Sequence, residues 1–327
     1  MRLALSAAAL LLFLTGPVHA QGKLKVFVLA GQSNMEGHAK VTTFDYIGED
    51  QATAPLLADM RDKAGAPRVC DDVWISYLTG ARGNNGEGVG KLTAGFGSRR
   101  DPKQDGGKIG PEFTFGLRMD REHKEPVLII KTAWGGKSLH TDFRSPSAGP
   151  YQFNDKQLAQ FQKQGKDVDK IKVDKVAATG HYYRLMMAHV KQVLADVKRV
   201  YPNYNESRGY ELAGFVWFQG WNDRINQQHN DHYTDNLSHF IRDVRKAFGN
   251  PNLPFIIGES GQGGVEEKHP RALSLMQHQA AVAMIPEFKE SNVQFLETQI
   301  YFENEPQFDG GYHWFGNAEN FFNIGDA

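Results

Sequence analysis

Cysteine is almost absent from this sequence, which contains only Cys70. No disulfide can form within the chain, so the stability of the fold must come from core burial and hydrogen bonding. A lone cysteine is more often a small buried apolar side chain than a nucleophile. We therefore expect no thiol chemistry.

An excess of one charge is also missing, because 37 Lys and Arg residues face 38 Asp and Glu residues and leave a net charge of -1. Proteins that neutralise many phosphates usually carry a basic excess or stripe, so nucleic acid is not an expected partner. Hydrophobic residues make up 40% and charged residues 23% of the 327 positions, which is typical of a globular protein and argues against disorder or a coiled coil.

Metal and cofactor motifs are missing as well, although the chain has 12 histidines. It contains no His-Glu-x-x-His sequence and no zinc-type spacing of Cys and His. His229, His232 and His239 share one approximate helix face, which we interpret as a solvated face and not as a metal site. The glycine-rich stretch 258–264 lacks the phosphate-binding patterns and is interpreted as a flexible pocket wall. We predict no metal and no organic cofactor.

The single long apolar run, Leu3–Thr15, is well short of the roughly 20 residues that cross a membrane. It follows a basic residue and precedes Val18-His19-Ala20, an order that is typical of a secretory signal peptide over residues 1–20. A retained anchor is the alternative. We expect an exported protein, periplasmic or extracellular, whose mature chain 21–327 has no membrane span.

Six short apolar runs are typical of strands buried on both faces of a parallel sheet. They are Leu24–Ala30, Val73–Tyr77, Pro126–Lys131, Glu211–Phe218, Pro254–Glu259 and Val293–Glu297. Between them, helical spacing of apolar residues covers 186–200 and 233–248, and a short last helix is expected over 315–324. This alternation predicts an α/β fold with a three-layer, doubly wound, flavodoxin-like and mostly parallel sheet.

Two polar stretches interrupt the alternation, at about 79–110 and 141–180. Neither flank carries a complete core, so we interpret both as loop excursions from one domain, 21–327. Loops longer than about 15 residues are usually functional or mobile. We expect these excursions to wall the cleft and select the substrate.

Unusual segments follow three of the predicted strands, at the edge where an open parallel sheet binds its ligands. In Gly31–Gly37, Ser33 is either a nucleophile exposed at a strand-to-helix turn or a helix N-cap. The paired glycines of Lys131–Ser138 either aim an N–H at an oxyanion or only form a turn. In Phe218–Asp223, two carboxamides either stabilise a developing negative charge or cap the next helix.

A fourth segment, Phe308–Trp314, places Asp309 four positions before His313. A carboxylate beside an imidazole can fix its tautomer and make it an oriented base, although a surface His–Asp pair has the same pattern. A serine first, with the acid and the histidine last, is one of the chain orders in which catalytic triads recur.

Together these segments resemble the SGNH-hydrolase superfamily and, within it, the sialate O-acetylesterase-like branch that includes carbohydrate esterase family six. The matching segments are Gly31-Gln32-Ser33-Asn34-Met35, Trp134-Gly135-Gly136, Phe218-Gln219-Gly220 and Asp309 through His313, and Ile109-Gly110-Pro111-Glu112 resembles a further one. The resemblance runs from about Val26 to Ile324. It is specific for the family and unspecific for the substrate, and it implies a single SGNH-hydrolase domain.

The resemblance implies that Ser33 is the nucleophile, that His313 is general base and then general acid, and that Asp309 orients it. Three residues separate Asp309 from His313 where the family usually has two, which puts Asp309 in doubt. Trp221 stands where many relatives carry Glu.

For the oxyanion hole, the resemblance implies the N–H of Ser33, a backbone N–H at Gly135 or Gly136, and the side chain of Gln219. The wider superfamily has a Gly-x-Asn-Asp segment that this chain also matches, so Asn222 competes with Gln219 for that role.

Aromatic side chains near these segments suit the apolar faces of sugars, although core packing is the alternative for each of them. We predict that the substrate is bound by Gln32, Trp134, Trp221 and Trp314. The sequence thus predicts an exported serine esterase that removes O-acetyl groups from sugars or polysaccharides through an acetyl-serine. The alternatives are a broad short-chain esterase or acyltransferase, and an inactive carbohydrate-binding relative in which the altered Asp–His spacing has disabled the triad.

Overall fold

The computed structural model describes residues 22–49, 51, 53–80, 86–99, 101 and 106–327. The expected signal peptide lies outside these residues. Within them, every helix is too short or too polar to cross a membrane.

Nine strands occur in the described part of the chain. They are β1 Leu24–Gly31, β2 Ala39–Lys40, β3 Val73–Thr79, β4 Gly86–Lys91, β5 Lys108–Ile109, β6 Val127–Ala133, β7 Tyr210–Phe218, β8 Phe255–Gly258 and β9 Val293–Leu296. Seven of them form one sheet in the order β4-β3-β6-β1-β7-β8-β9, in which only β4 runs antiparallel to its neighbour. Strands β2 and β5 form a small antiparallel sheet of their own.

Twelve α-helices connect these strands in the described part of the chain. They are α1 Ser33–Glu36, α2 Ala54–Met60, α3 Pro111–Glu122, α4 Asp155–Lys163, α5 Val168–Ala178, α6 His181–Ala195, α7 Trp221–Arg224, α8 Gln227–Asp231, α9 Tyr233–Phe248, α10 Pro270–Met284, α11 Pro286–Lys289 and α12 Ala318–Asp326. Apolar residues of α6 and α9 pack on one face of the sheet, and those of α3 and α12 pack on the other. The predicted three-layer fold is confirmed, and strands β6-β1-β7-β8-β9 have the flavodoxin-like order.

All six strands that the apolar runs predict are present, although β9 at the sheet edge is only partly buried. Strand β6 is buried along its whole length, which explains why its sequence is apolar without alternation. Cys70 lies buried in the core between the sheet and α3, as expected of a small apolar side chain.

Strand β4 was not predicted, because the glycines of Gly86–Lys91 weaken a strand signal. It lies at the sheet edge within the first polar stretch, where it pairs with β3. The second polar stretch contains α4 and α5, so neither stretch is simply a loop excursion. The helix expected over 186–200 ends at Ala195, and the last helix begins at Ala318 and not at 315.

The carboxyl ends of β1, β6 and β7 lie level with one another. Gly31 is paired with Ala133 on one side and with Phe218 on the other. A side chain at position 31 would place its Cβ 2.1 Å from the Phe218 carbonyl oxygen, so this close approach requires glycine. The segments that follow the three strands therefore start at the same height and can form one site.

Candidate active site

Ser33 is the first residue of the short helix α1, directly after β1. The residue before it, Gln32, has an extended backbone, so the chain turns sharply from strand to helix at this point. The Ser33 side chain does not cap the helix, and the residue is 8% exposed. Its position is that of a serine presented at a strand-to-helix turn.

The exposed part of Ser33 faces a cavity of about 200 Å³ at the carboxyl edge of the sheet. The cavity is lined by Gln32, Ser33, Asn34, Gly136, Trp221, Asn222, Gln262, Tyr312 and His313. It therefore brings all four predicted segments together. Gln262 belongs to the stretch 258–264 and accepts a hydrogen bond from Asn34 at 3.2 Å, so this stretch does form a wall of the pocket.

Asp309 and His313 form a hydrogen-bonded pair despite their unusual spacing. His313 Nδ1 lies 2.7 Å from Asp309 Oδ2. A carboxylate can only accept, so Nδ1 donates and the opposite nitrogen, Nε2, is left with the lone pair of a base. The extra residue between Asp309 and His313 is accommodated in a turn. Gly310 and Gly311 in this turn have positive φ values, and the Tyr312 N–H donates to the Asp309 carbonyl at 2.8 Å.

The backbone at His313 itself is left-handed. His313, Trp314 and Phe315 have φ values of 51°, 56° and 54°, each costing about 1–2 kcal/mol in a residue with a side chain. Burial of Trp314 and a 2.7 Å hydrogen bond from Phe308 N–H to the Phe315 carbonyl hold the segment in place. Backbone strain of this kind persists only where the surrounding contacts hold the segment in place. The left-handed backbone at 313–315 also explains why the last helix starts three residues later than predicted.

The surroundings of His313 favour its neutral, proton-accepting form. Burial of the ring lowers the pKa of His313 below its usual value, although Asp309 and Glu36 oppose this effect. A neutral imidazole is what a general base needs before it accepts a proton.

The two candidates for the oxyanion side chain occupy different environments. Gln219 is 1% exposed, and its Nε2 donates to Gln32 Oε1, to the Lys137 carbonyl and to Asp223 Oδ2 at 3.2, 3.0 and 2.6 Å. Asn222 lines the cavity and donates one Nδ2 hydrogen to the Gly136 carbonyl, which leaves the second for a ligand. The geometry favours Asn222 over Gln219.

The backbone around Gly135 lies against the nucleophile segment. A Cβ at position 135 would come within 3.1 Å of Glu36 Oε2 and 3.7 Å of Ser33 Cβ. Among the residues that the structure describes, the N–H groups of Ser33, Gly135 and Gly136 donate no backbone hydrogen bond. Of the three, Ser33 and Gly136 also line the cavity.

Gln32 holds two of the segments together. Its Oε1 accepts from Gln219 Nε2 at 3.2 Å and from the N–H groups of Gly220 and Asn222 at 3.3 Å each, while its Nε2 lies 3.4 Å from Ser33 Oγ. The carboxamide is therefore largely engaged within the protein. Its hydrogen bonds connect the segment after β1 to the segment after β7, which favours a structural role over contact with substrate.

The prediction that Trp134 and Trp314 bind substrate is wrong. Trp134 is 1% exposed and packs against Tyr182, and Trp314 is 0% exposed and lies between the sheet and α12. Both fill the core beneath the site, where a sugar cannot reach them. Burial of this kind depends on long-range packing that the local sequence does not show.

Trp221, in contrast, lines the cavity, and its contact with substrate stays a prediction. Its ring meets the ring of Tyr312 edge-on, with centroids 5.7 Å apart, and the Arg224 guanidinium covers one of its faces at 3.7 Å. Tyr312 is 54% exposed and was not predicted as a site residue. Its position between Asp309 and His313 is the signal that could have identified it.

Asp223 connects the loop after β6 to the segment after β7. Its buried carboxylate accepts from the N–H groups of Leu139 and His140 at 2.8 and 2.9 Å and from Gln219 Nε2. Burial raises the pKa of Asp223 to about 7, although these hydrogen bonds oppose the shift. Sequence reasoning missed this residue, which could have been found as the final Asp of the Gly-x-Asn-Asp match.

The histidine face predicted on one helix is also wrong. His229 lies in α8, His239 lies in α9, and His232 falls between the two helices. His229 is partly buried, with its ring 4.3 Å from that of the buried His140, and burial lowers its pKa to about 4. The three histidines share a helix face only if a single helix runs through His232, and the structure has a break there.

One group of possible metal ligands occurs among the described residues. The ligand atoms of His38, Asp309 and His313 lie within 4.8 Å of one another. The two imidazole rings, however, are stacked 3.8 Å apart and inclined by only 10°. Imidazole lone pairs lie in the ring plane, so those of two parallel rings do not converge on one ion.

Comparison with known proteins identifies a family. A family model described as carbohydrate esterase, sialic acid-specific acetylesterase, matches residues 92–314, which is more than half of the chain. The match includes Asp309 and His313 and begins after Ser33. No curated protein matches the sequence significantly.

Solved structures give a consistent but distant similarity. A protein from Arabidopsis thaliana is 16% identical with a TM-score of 0.51, covering 93% of this chain and 95% of that one. A novel carbohydrate acetylesterase from Xanthomonas citri is 14% identical with a TM-score of 0.49, and the similarity covers 92% of this chain and 54% of that one. NanS is 11% identical with a TM-score of 0.45, and the similarity covers 87% of this chain and 79% of that one. The Arabidopsis structure supports the fold.

Proposed function

The chain belongs to the family of carbohydrate esterases described as sialic acid-specific acetylesterases, and from this premise we propose that it is an exported serine esterase that removes O-acetyl groups from sugars through an acetyl-serine. The chain is a carboxylic ester hydrolase of the acetylesterase class. The nucleophile, the mechanism, the sugar substrate and the export are parts of the proposal.

The observation that supports this mechanism most directly is the placement of His313. Its Nδ1 is bonded to Asp309 at 2.7 Å, while its ring lines the same small cavity as Ser33. A serine, a base with one free nitrogen and a carboxylate on the other nitrogen are the three groups that acyl transfer needs.

The proposed reaction has two halves. Ser33 Oγ attacks the acetyl carbonyl carbon while His313 Nε2 takes the Ser33 proton, and the resulting imidazolium gives that proton to the sugar oxygen as the sugar leaves. Water then attacks the acetyl-serine, His313 takes its proton and returns it to Ser33 Oγ, and acetate is released. Asp309 stabilises the imidazolium in both halves.

The tetrahedral oxyanion in each half needs preorganised donors. We assign them to the N–H of Ser33, the N–H of Gly135 or Gly136, and Asn222 Nδ2. Ser33, Gly136 and Asn222 line the cavity, and Gly135 lies against Ser33. Among the described residues the three N–H groups donate to no backbone carbonyl, and Asn222 Nδ2 donates only one of its two hydrogens, to Gly136. Gln219 is assigned a supporting role, since its amide hydrogens are bonded within the protein.

The size and rim of the cavity favour an acetyl group attached to a larger sugar. A volume of about 200 Å³ holds an acetyl group but not an oligosaccharide. Trp221 and the exposed Tyr312 stand at the entrance and offer aromatic surface to the apolar face of a sugar ring. The acetyl group would enter the cavity while the sugar remains at this rim.

Among the alternative interpretations, the inactive binding protein loses its basis. That interpretation required the extra residue between Asp309 and His313 to separate them, whereas the turn at Gly310 and Gly311 brings them to 2.7 Å. The broad short-chain esterase or acyltransferase has the same catalytic groups and is distinguished by its substrates.

The test compares initial rates on p-nitrophenyl acetate and on O-acetylated sugars for the wild type, Ser33→Ala and Ser207→Ala. Ser207 is exposed and bonds only within its own turn, so it is the matched control. We expect Ser33→Ala to lose all measurable activity and Ser207→Ala to keep it. The wild type should hydrolyse acetylated sugars faster than the aryl ester.

Two outcomes would change the proposal. Activity retained by Ser33→Ala would remove the serine nucleophile. A rate on aryl acetates far above the rate on every acetylated sugar, both lost in Ser33→Ala, would favour the broad esterase.

A further inference from the structure

His38 lies directly beside the proposed catalytic base. Its ring is stacked on that of His313, with centroids 3.8 Å apart and planes inclined by 10°. His38 does not line the cavity, so it is not placed to touch substrate. The chemistry described above does not require it, and its position therefore needs a separate explanation.

The ring of His38 is itself held from two sides. Lys108 Nζ lies 3.3 Å from His38 Nδ1, and an ammonium can only donate, so Nδ1 accepts and Nε2 carries the hydrogen. His38 Nε2 lies 3.9 Å from Glu36 Oε2, an electrostatic contact longer than a hydrogen bond. Glu36 is anchored in turn by a 3.1 Å hydrogen bond from Thr79.

The backbone around His38 is fixed as well. His38 follows Gly37, which has a φ of 88° and packs against Gly110 so closely that a Cβ would lie 2.2 Å from its Cα. It precedes β2, which pairs with β5, the strand that carries Lys108. The same short segment therefore carries the nucleophile Ser33 at one end and His38 at the other.

The hydrogen bond from His313 to Asp309 does not by itself define the ring orientation. A single N–H to O contact fixes the position of Nδ1, but the ring can still tilt about that contact. A second ring stacked against its face removes this freedom. The two restraints together determine where Nε2 points.

We propose that His38 is a positioning residue for the catalytic base: its ring, held by Lys108 and Glu36, fixes the plane of the His313 ring so that Nε2 faces Ser33. This inference rests on the proposed function, because it assumes that His313 acts on Ser33. It assigns His38 no contact with substrate and no proton transfer.

A pH effect follows from the groups that surround the pair. His313 faces Asp309, His38 and Glu36, with the phenol of Tyr312 adjacent, and His38 faces Lys108, Glu36 and His313. Burial is the largest influence that lowers the pKa of His313, and the stacked His38 ring covers one face of the imidazole. Removing that ring admits water, so the pKa of His313 should rise in His38→Ala, whereas the phenyl ring of His38→Phe keeps the face covered.

The experiment compares His38→Phe and His38→Ala with the wild type and with His181→Ala, an exposed histidine outside the site. Phenylalanine keeps a ring that can stack, whereas alanine removes it. We expect His38→Ala to lower kcat about tenfold or more with little change in KM, and His38→Phe to recover most of that loss. In His38→Ala the acid limb of the kcat/KM profile should move to higher pH, while His38→Phe and His181→Ala stay close to the wild type.

Two results would overturn the proposal. One is a His38→Ala variant with wild-type kcat and a wild-type pH profile. The other is a folded His38→Phe variant as slow as His38→Ala, which would mean that the nitrogens and not the stacked ring are required. Thermal melts of both variants separate these results from a loss of folding.

A second readout separates this inference from the proposed function. The rate at which a fluorophosphonate labels Ser33 depends on the base but not on the sugar. If the wild type is labelled and His38→Ala is labelled equally fast, the proposed function stands and the inference fails. If the wild type is not labelled, the proposed function fails, and the inference, which rests on it, fails with it.

Discussion

His313 performs every proton transfer in the proposed reaction, so its environment determines the pH at which the enzyme works. Burial lowers its pKa, and the carboxylate of Asp309 raises it. The balance keeps the ring neutral at pH values above the usual histidine pKa of about 6.5. Activity should therefore fall only as the solution becomes acidic enough to protonate the ring.

The Asp309→Asn variant tests this balance. Removing the negative charge lowers the pKa of His313 further, so the acid limb of the kcat/KM profile should move to lower pH. The plateau rate should fall at the same time, by as much as about 10⁴-fold, because the tautomer is no longer fixed. Asp174→Asn, an exposed aspartate paired with Lys170, is the control. A limb that moves to higher pH would contradict the assignment of Asp309.

The oxyanion assignment makes a separate prediction at Asn222. Asn222→Asp keeps the size of the side chain but replaces the donor by an acceptor. We expect kcat to fall about 100- to 1,000-fold with a small change in KM, since the lost contact forms only in the transition state. Steady-state rates on p-nitrophenyl acetate measure this. If kcat is unchanged, Asn222 is not an oxyanion donor.

The positions of the candidate-site residues were only partly predictable from the sequence. Ser33 and His313 line one cavity, and Asp309 is bonded to His313, as the local patterns around them indicate. The burial of Trp134 and the position of His38 depend on segments far away in the chain, and no local pattern reports them. The choice between carboxamides also required the structure, because both follow the same strand.

At the scale of elements, the site depends on a buried ion pair beneath the nucleophile. Lys131 on β6 and Glu112 on α3 are both fully buried, with Nζ and Oε2 2.6 Å apart. Lys131 also donates to the carbonyl oxygens of Glu36 at 2.9 Å and Phe96 at 2.8 Å, and Glu112 accepts from the Gly110 N–H. The pair thus links a central strand, the start of a helix and the end of α1.

Breaking this pair should destabilise the fold. Lys131→Met leaves the Glu112 carboxylate buried without its partner. A change of this kind typically lowers the free energy of unfolding by about 3–5 kcal/mol. Lys91→Met removes an exposed pair with Asp71 and should cost less than about 1 kcal/mol. Urea unfolding of both variants measures the difference. Equal losses would contradict the account, and a Lys131→Met, Glu112→Gln double variant should recover part of the loss.

The elements themselves were predictable to different degrees. Strands buried on both faces produce continuous apolar runs, and all six such runs became strands. The edge strand Gly86–Lys91 gave no signal, because glycine has no side chain to show a pattern. The start of the last helix was misplaced, since the left-handed backbone at 313–315 is imposed by tertiary packing.

At the scale of the whole molecule, the fold brings segments that lie far apart in the chain to one edge. Ser33 and His313 are separated by most of the sequence, yet they meet because β1 is central in the sheet and the last loop crosses its carboxyl end. Parallel-sheet topology explains why the fold and the approximate site could be predicted together. The substrate could not, because the rim is formed by side chains from several segments.

The proposed export makes a prediction about the whole chain. When the full sequence is produced in a host that secretes it, the mature protein should begin at Gln21, because the leader is removed after Ala20. N-terminal sequencing and intact mass of the secreted protein check this. An uncut chain retained in the cytosol or the membrane fraction would contradict the export proposal and leave the catalytic assignment untouched.

Trapping the acyl-enzyme would show directly whether Ser33 is the nucleophile. Wild type and Ser33→Ala are mixed with an O-acetylated sugar, quenched in acid within one turnover, digested and analysed by peptide mass spectrometry. We expect an acetyl group on Ser33 in the wild type and on no residue in Ser33→Ala. Acetate release without an acetylated Ser33 peptide, or undiminished release by Ser33→Ala, would contradict it.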